Sequence, residues 1–433
     1  MKRLLSFDDT PPLSVPLRFF LTAPLFAIAA AILLLWQGPA ALTSRWSPDT
    51  LALTHLLTLG FLVMTMVGSL LQILPVVAGV MLPRQQLSAS LVHGLLTAGA
   101  LTLSVAFLAA APWLFKLALL LLGAAFLWLL VACALGLWFS SGTSATLAAV
   151  RLALIALLLT VGLGLTLGSA FAWSLNLPLL QLTKLHVIWG LLGWVGLLVI
   201  GVAYQVVPMF QVTPVYSPHL TRWLAPLLFL LLLLGSAIEL WLPGQTSLWA
   251  TLVAALIAIG FMLFSGATLY LQWCRKRPKA DVTILFWRAG LGSLLLAAAL
   301  WMIGHWMPDW LLLSPLTLGM LFIIGFVYSV INGMLYKIVP FLVWYHLQSL
   351  VAGRGMVPNV KLILPDAGAK RQFYAHLAAV VLLVAATIWP AGLTQLAALA
   401  FGLSSCWLLH NMIGACRIYQ KIRLASSQQL SAA

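Results

Sequence analysis

The sequence predicts a polytopic α-helical membrane protein of twelve spanning helices, built as three units of four. Three observations predict it. Of the 433 residues, 63% are hydrophobic and 7% charged, whereas a water-soluble domain carries about 25% charged residues and needs a polar surface. The apolar residues fall in long continuous runs. A short motif recurs near the ends of the second, sixth and tenth runs at an almost constant interval.

Backbone groups in lipid must bond within their own segment, and a spanning helix takes roughly 20 apolar residues. A β-barrel would alternate over segments of about 10 residues. Stretches such as 117–138 and 227–238 do not alternate. Twelve runs meet the helix criterion, at about 17–37, 50–79, 91–112, 115–139, 150–174, 181–209, 223–242, 247–272, 284–304, 312–341, 374–391 and 394–416. The second, sixth and tenth exceed one membrane thickness and are expected to tilt or protrude. Residues 1–16 hold Lys2 and Arg3 but also Asp8, Asp9 and three prolines, unlike a cleaved signal.

The formal net charge is +15. In a soluble chain that would suggest nucleic acid. Here the rule that basic residues gather in cytoplasmic loops accounts for it, so the expected partner is the lipid bilayer and not nucleic acid. With the N-terminus placed inside, only Arg45, Lys116 and Lys184 of the 22 basic residues fall outside, and Lys337 lies within the tenth run. The remaining 18 fall on the inner side. An even number of helices returns the C-terminus to the cytoplasm, and the expected location is a bacterial-type inner membrane. Cys133, Cys274, Cys406 and Cys416 form no CxxC pair, so neither a disulfide framework nor a zinc ribbon is indicated.

The recurring motif is Gly-x3-[Gln/Lys]-x2-Pro. It reads Gly68 to Pro75 around Gln72, Gly201 to Pro208 around Gln205, and Gly333 to Pro340 around Lys337. The polar positions are 133 and 132 residues apart. Arg18, Arg151 and Arg288 open the first, fifth and ninth runs at similar intervals. The chain therefore reads as one transmembrane domain over 1–433, with units at about 1–145, 146–280 and 281–433. One reading of the motif is structural: Gly for close helix approach, Pro for the helix end, and a polar side chain reaching the interface. The other places Gln72, Gln205 and Lys337 along a polar path.

Ionisable groups at membrane depth are costly and point to function. His55 and His186 open the second and sixth runs toward the outer side, 17 and 19 residues before Gln72 and Gln205. Neutral imidazole ligates haem iron and copper, and histidines on two helices of a bundle can converge on one cofactor. The structural alternative is a pair of interfacial histidines bonded to backbone carbonyls. The third unit has no histidine at this place, although His305 ends the ninth run at the same level. Cys406 and His410, four residues apart, share a helix face and offer ligands that suit copper. His93, His219, His346 and His376 fall toward the inner side and are read as structural. Glu239 lies near the outer end of the seventh run.

Twelve helices in three units, with histidines at the outer ends of the second and sixth, resemble subunit I of the haem-copper oxidases. The run from His186-Val-Ile-Trp-Gly190 through Gly201-Val-Ala-Tyr204 to Pro208 is also similar to the NnrS family of haem- and copper-containing membrane proteins linked to nitric oxide stress. The resemblance implies that helices two, six and ten surround a haem or copper site. His55 matches the position of a haem ligand and His186 that of a copper ligand. The chain departs from the oxidase pattern in two places. Run 223–242 lacks the paired histidines of helix seven, and the outer part of the tenth run lacks the two haem histidines. Oxygen reduction is therefore not expected.

What remains is a haem- or copper-binding membrane protein acting in nitric oxide response or respiratory metal handling. Two alternatives stand beside it. One is a cofactor-free transporter using Gln72, Gln205 and Lys337. The other is an assembly factor partnered with respiratory complex subunits, whose longest loop, 348–372, is basic and suited to anionic lipid.

Overall fold

The computed structural model describes residues 10–80, 84–138, 144–241, 248–277, 279–306, 315–351 and 356–432. Every regular element among them is helical. Twelve helices are long and apolar enough to cross a membrane. They are α1 (Ser14–Leu42), α2 (Pro48–Val76), α3 (Gln85–Ala109), α4 (Pro112–Leu137), α5 (Ala145–Trp173) and α6 (Leu179–Gln211). The rest are α7 (Pro218–Trp241), α8 (Leu248–Trp273), α9 (Val282–Gly304), α10 (Pro315–Val351), α11 (Asp366–Ile388) and α12 (Pro390–Ser426). The chain is a multi-pass membrane protein.

Each expected run overlaps one of these helices. Positions 139, 242, 247 and 312–314 of those runs lie outside the described residues. The helix starts follow local chemistry. Ser47 accepts from Thr50 N ahead of α2, with Pro48 and Asp49 in the first turn, and Ser144 accepts from Leu147 N ahead of α5. A hydroxyl at this place satisfies an otherwise orphan N–H, and proline loses nothing at the first helical position. Proline also opens α4, α7, α10 and α12.

Three helices form the interior. The most apolar windows of α2, α6 and α10 are 72, 61 and 78% buried, against 22–56% for the others. Where α2 meets α10, Phe61 stacks on Tyr328 with ring centroids 3.9 Å apart. Each of these three helices also carries a π-helical segment: Leu56–Val63, Ile188–Gly196 and Leu321–Tyr328. Their starts are 132 (188 − 56) and 133 (321 − 188) positions apart. Such widened turns are rare and concentrate at functional places.

The motif glycines sit at helix crossings. A β-carbon on Gly68 would lie 2.7 Å from Phe19 Cβ of α1. One on Gly201 would lie 2.6 Å from Ala149 Cβ of α5, and one on Gly333 2.8 Å from Phe286 Cβ of α9. In each case the missing side chain lets two backbones approach, which drives helix association in lipid. The motif prolines differ from expectation. Pro75, Pro208 and Pro340 lie inside helices that run on to Ala78, Gln211 and Val351. A spanning helix tolerates the lost backbone bond where neighbouring helices re-satisfy it.

Candidate functional site

His55 is the last residue before the π-helical segment of α2, and His186 lies two residues before that of α6. The helical start of α2 puts the His55 ring over its own preceding turn, where Nδ1 lies 2.7 Å from Leu51 O. His186 reaches across to α5, with Nδ1 3.1 Å from Thr160 O. A carbonyl only accepts, so in both rings Nδ1 carries the proton and Nε2 keeps its lone pair. These are the bonds that the structural alternative foresaw, and they are also the bonds that orient a metal-ligating imidazole.

The two rings lie together, with centroids 6.5 Å apart and planes inclined by 24°. Both line one cavity of about 460 Å³ enclosed by α2 to α6, which explains why both are only half-buried. The volume is within the range of sites for sizeable ligands. Its walls are apolar and aromatic. Phe107 stacks on His55 at 5.3 Å, Phe115 stacks on Phe171 at 5.1 Å, and Phe107 meets both edge-on. Gly164 lies against the His186 ring, where a β-carbon would be 3.0 Å from Cε1. The Thr58 and Thr160 hydroxyls donate to carbonyls in their own helices. The buried Trp194 Nε1–H, also on a lining residue, has no acceptor among the described residues.

The three basic residues expected on the outer side flank this cavity. Arg45 lies over the Trp46 ring at 4.6 Å and Lys116 over Trp173 at 5.5 Å. Lys184 pairs with Glu239 at 3.0 Å. Each is adjacent in sequence to a lining residue: Trp46, Phe115 and Thr183.

The other expected positions fare differently. Gln72 and Gln205 line a second, smaller cavity of about 140 Å³ among α2, α6 and α10. Lys337 does not line it. Its ammonium is drawn to Asp281, 2.6 Å away at the start of α9. The cavity is otherwise walled by apolar side chains such as Val199, Met334 and Leu342. Cys406 and His410 are exposed on α12 and do not line the His55 cavity. No group of three or more His, Cys, Asp or Glu side chains is placed to share a metal ion among the described residues. The side chain of His305 lies outside those described.

One residue read from the sequence as structural on the inner side is deeply buried. His376 is fully buried on α11, because α11 begins at Asp366, eight residues before the expected run. The sequence signal was Asp366, an acidic residue in the first turn, where it suits the helix dipole. No known protein family matches the chain, and no curated protein matches it.

Proposed function

We propose that the chain is a haem-binding membrane protein in which His55 and His186 would hold the iron. The observation that carries this reading is the pairing itself. Two imidazoles that share a metal would each bring one nitrogen to about 2 Å from it, which needs the two rings close together. The separation here is 6.5 Å, and both Nε2 lone pairs are unspent. A bare copper ion needs no cavity of about 460 Å³, and it draws on more side-chain ligands than these two. Haem supplies its own equatorial nitrogens and asks the protein only for axial ones.

The chain's own residues then have assignable tasks. The Leu51 and Thr160 carbonyls hold the two rings in the ligating tautomer. Phe107 fixes the plane of His55, and the Phe107, Phe115 and Phe171 cluster keeps water from the ring faces. The Trp194 N–H is a donor for a polar edge of the bound group, and Arg45 and Lys116 suit its carboxylates at the mouth. When bound, an iron with two histidine ligands supplies one-electron chemistry.

The same reading takes the architecture as three units of four helices, related to haem-copper oxidase subunit I and to the NnrS family. Its support is the repeated placement of the π-helical segments, the motif glycines and their partner helices. It places both termini in the cytoplasm of a bacterial-type inner membrane, on the strength of the basic-residue bias.

The test is an absorption spectrum of protein purified from haem-replete cells, oxidised and reduced, with metal analysis. A Soret band with the signature of a six-coordinate low-spin iron is expected. A colourless protein that carries copper would replace haem with copper in this reading. One with neither would end it.

A further inference from the structure

A second buried polar system lies away from the histidine cavity, where α10, α11 and α12 meet. His376 is its centre. Nε2 lies 2.7 Å from Ser329 Oγ, and that hydroxyl donates to Ile324 O at 3.3 Å. Ser329 therefore accepts from His376 Nε2–H, and the lone pair of His376 is on Nδ1. Nδ1 is buried and has no donor among the described residues. Around it are further polar groups that an apolar helix contact does not need. Tyr328 bonds Ser405 at 2.9 Å, and fully buried Asn332 lies against the Tyr328 hydroxyl. Gln372, one turn before His376, donates to Ser404 Oγ at 3.1 Å while its own Oε1 is buried without a donor. Tyr336 accepts from Asn411 at 2.9 Å.

These groups occur at successive positions along α10, α11 and α12. Tyr336 is adjacent to Lys337, whose ammonium meets Asp281. Asp366, at the start of α11, accepts from Val282 N and pairs with Lys370. Along the helices, the Tyr336–Asn411 pair lies nearest Lys337, and Gln372 lies one turn nearer the start of α11 than His376. Tyr328 also stacks on Phe61 of α2. Leaving an acceptor lone pair in a dry interior costs about 1–3 kcal/mol. Two such acceptors, one turn apart on a single helix face, call for ordered water, which typically bridges otherwise unpaired buried groups. The Tyr328 and Phe286 rings each lie with their centroids 5.4 Å from that of His376.

We propose that this seam is a water-filled half-path that brings protons from the basic end to His376. A proton arriving from water adds to Nδ1, and the resulting imidazolium releases it back to that water, while Nε2–H stays bonded to Ser329 Oγ. The titratable and charged groups around the path are Tyr328 and Tyr336 on α10, Cys406 on α12, and Lys337, Asp281, Asp366 and Lys370 at its mouth. The proposal is independent of any cofactor at His55 and His186.

Solid-state NMR of the full chain in liposomes, labelled with ¹⁵N at histidine, tests it. The His376 signals are identified by their loss in His376→Gln. Magnetisation from water is expected to reach them almost as fast as it reaches exposed His219. Gln372→Leu is expected to slow that transfer about threefold or more at His376 and to leave His219 unchanged. Should Gln372→Leu fail to fold, the milder Ser404→Ala is expected to slow it in the same direction. No transfer to His376 in the unaltered protein, or transfer indifferent to both variants, overturns the path.

Discussion

His55 and His186, 131 residues apart in sequence, face one cavity with ring centroids 6.5 Å apart, and each spends Nδ1 on a backbone carbonyl. Removing either imidazole leaves an iron with one axial partner. His55→Ala and His186→Ala are each expected to lower haem content by about tenfold or more, the scale on which damaged metal sites lose affinity. The double variant is expected to be colourless. Pyridine haemochrome analysis of the purified variants, alongside size-exclusion profiles, checks this. Full haem content in both single variants would remove these residues from the site.

Much of this arrangement was legible in the sequence, for physical reasons that also set its limits. The helices were readable because lipid demands long apolar runs. The pairing of His55 with His186 followed from their equivalent places ahead of Gln72 and Gln205. The π-helical segments were not readable, because a widened turn uses the same apolar residues as an α-helix. The early start of α11 was not readable because hydropathy discards its charged opening, although the Asp366–Lys370 pair belongs to the helix. That Lys337 meets Asp281 and does not line the cavity with Gln72 and Gln205 was not readable, because no periodicity announces that Asp281 will stand within reach.

The Lys337–Asp281 pair is one-quarter to one-third exposed on each side. Pairs of that exposure contribute about 0–1 kcal/mol. Asp281→Asn is expected to lower thermal stability in detergent only slightly and to leave the absorption spectrum unchanged. A large loss of stability would mean that the pair holds α9 to α10 more firmly than its exposure implies.

The motif glycines carry a stronger requirement. Gly201 is buried against Ala149, and any β-carbon there lies 2.6 Å from the Ala149 methyl. Overfilling a packed contact costs about 1–3 kcal/mol. Gly201→Val is expected to lower the unfolding midpoint clearly, and Gly68→Val and Gly333→Val to act alike because each meets the β-carbon of an aromatic residue. The double variant Gly201→Ala/Ala149→Gly is expected to recover most of the loss, since it returns the missing volume to the same crossing. Scanning calorimetry or a thiol-reactive unfolding assay in detergent reads both results.

Gly164 offers the most selective test of the histidine site. It lies on α5 facing the His186 ring, and an added β-carbon would be 3.0 Å from Cε1 and 3.5 Å from Nδ1. The backbone has little room to withdraw, since Gly168 one turn on is already closed by Leu119, 2.6 Å from its own β-carbon position. The ring must therefore turn, which strains the Nδ1 bond to Thr160 O on the same helix. Gly162, two residues away, faces open space, so Gly162→Ala carries the same change in helix propensity without the contact. Gly164→Ala is expected to lower haem content or shift the low-spin bands, with a folded, monodisperse protein. Gly162→Ala is expected to match the unaltered chain in both. Identical spectra for the two variants would mean that the orientation of His186 does not govern what the cavity holds.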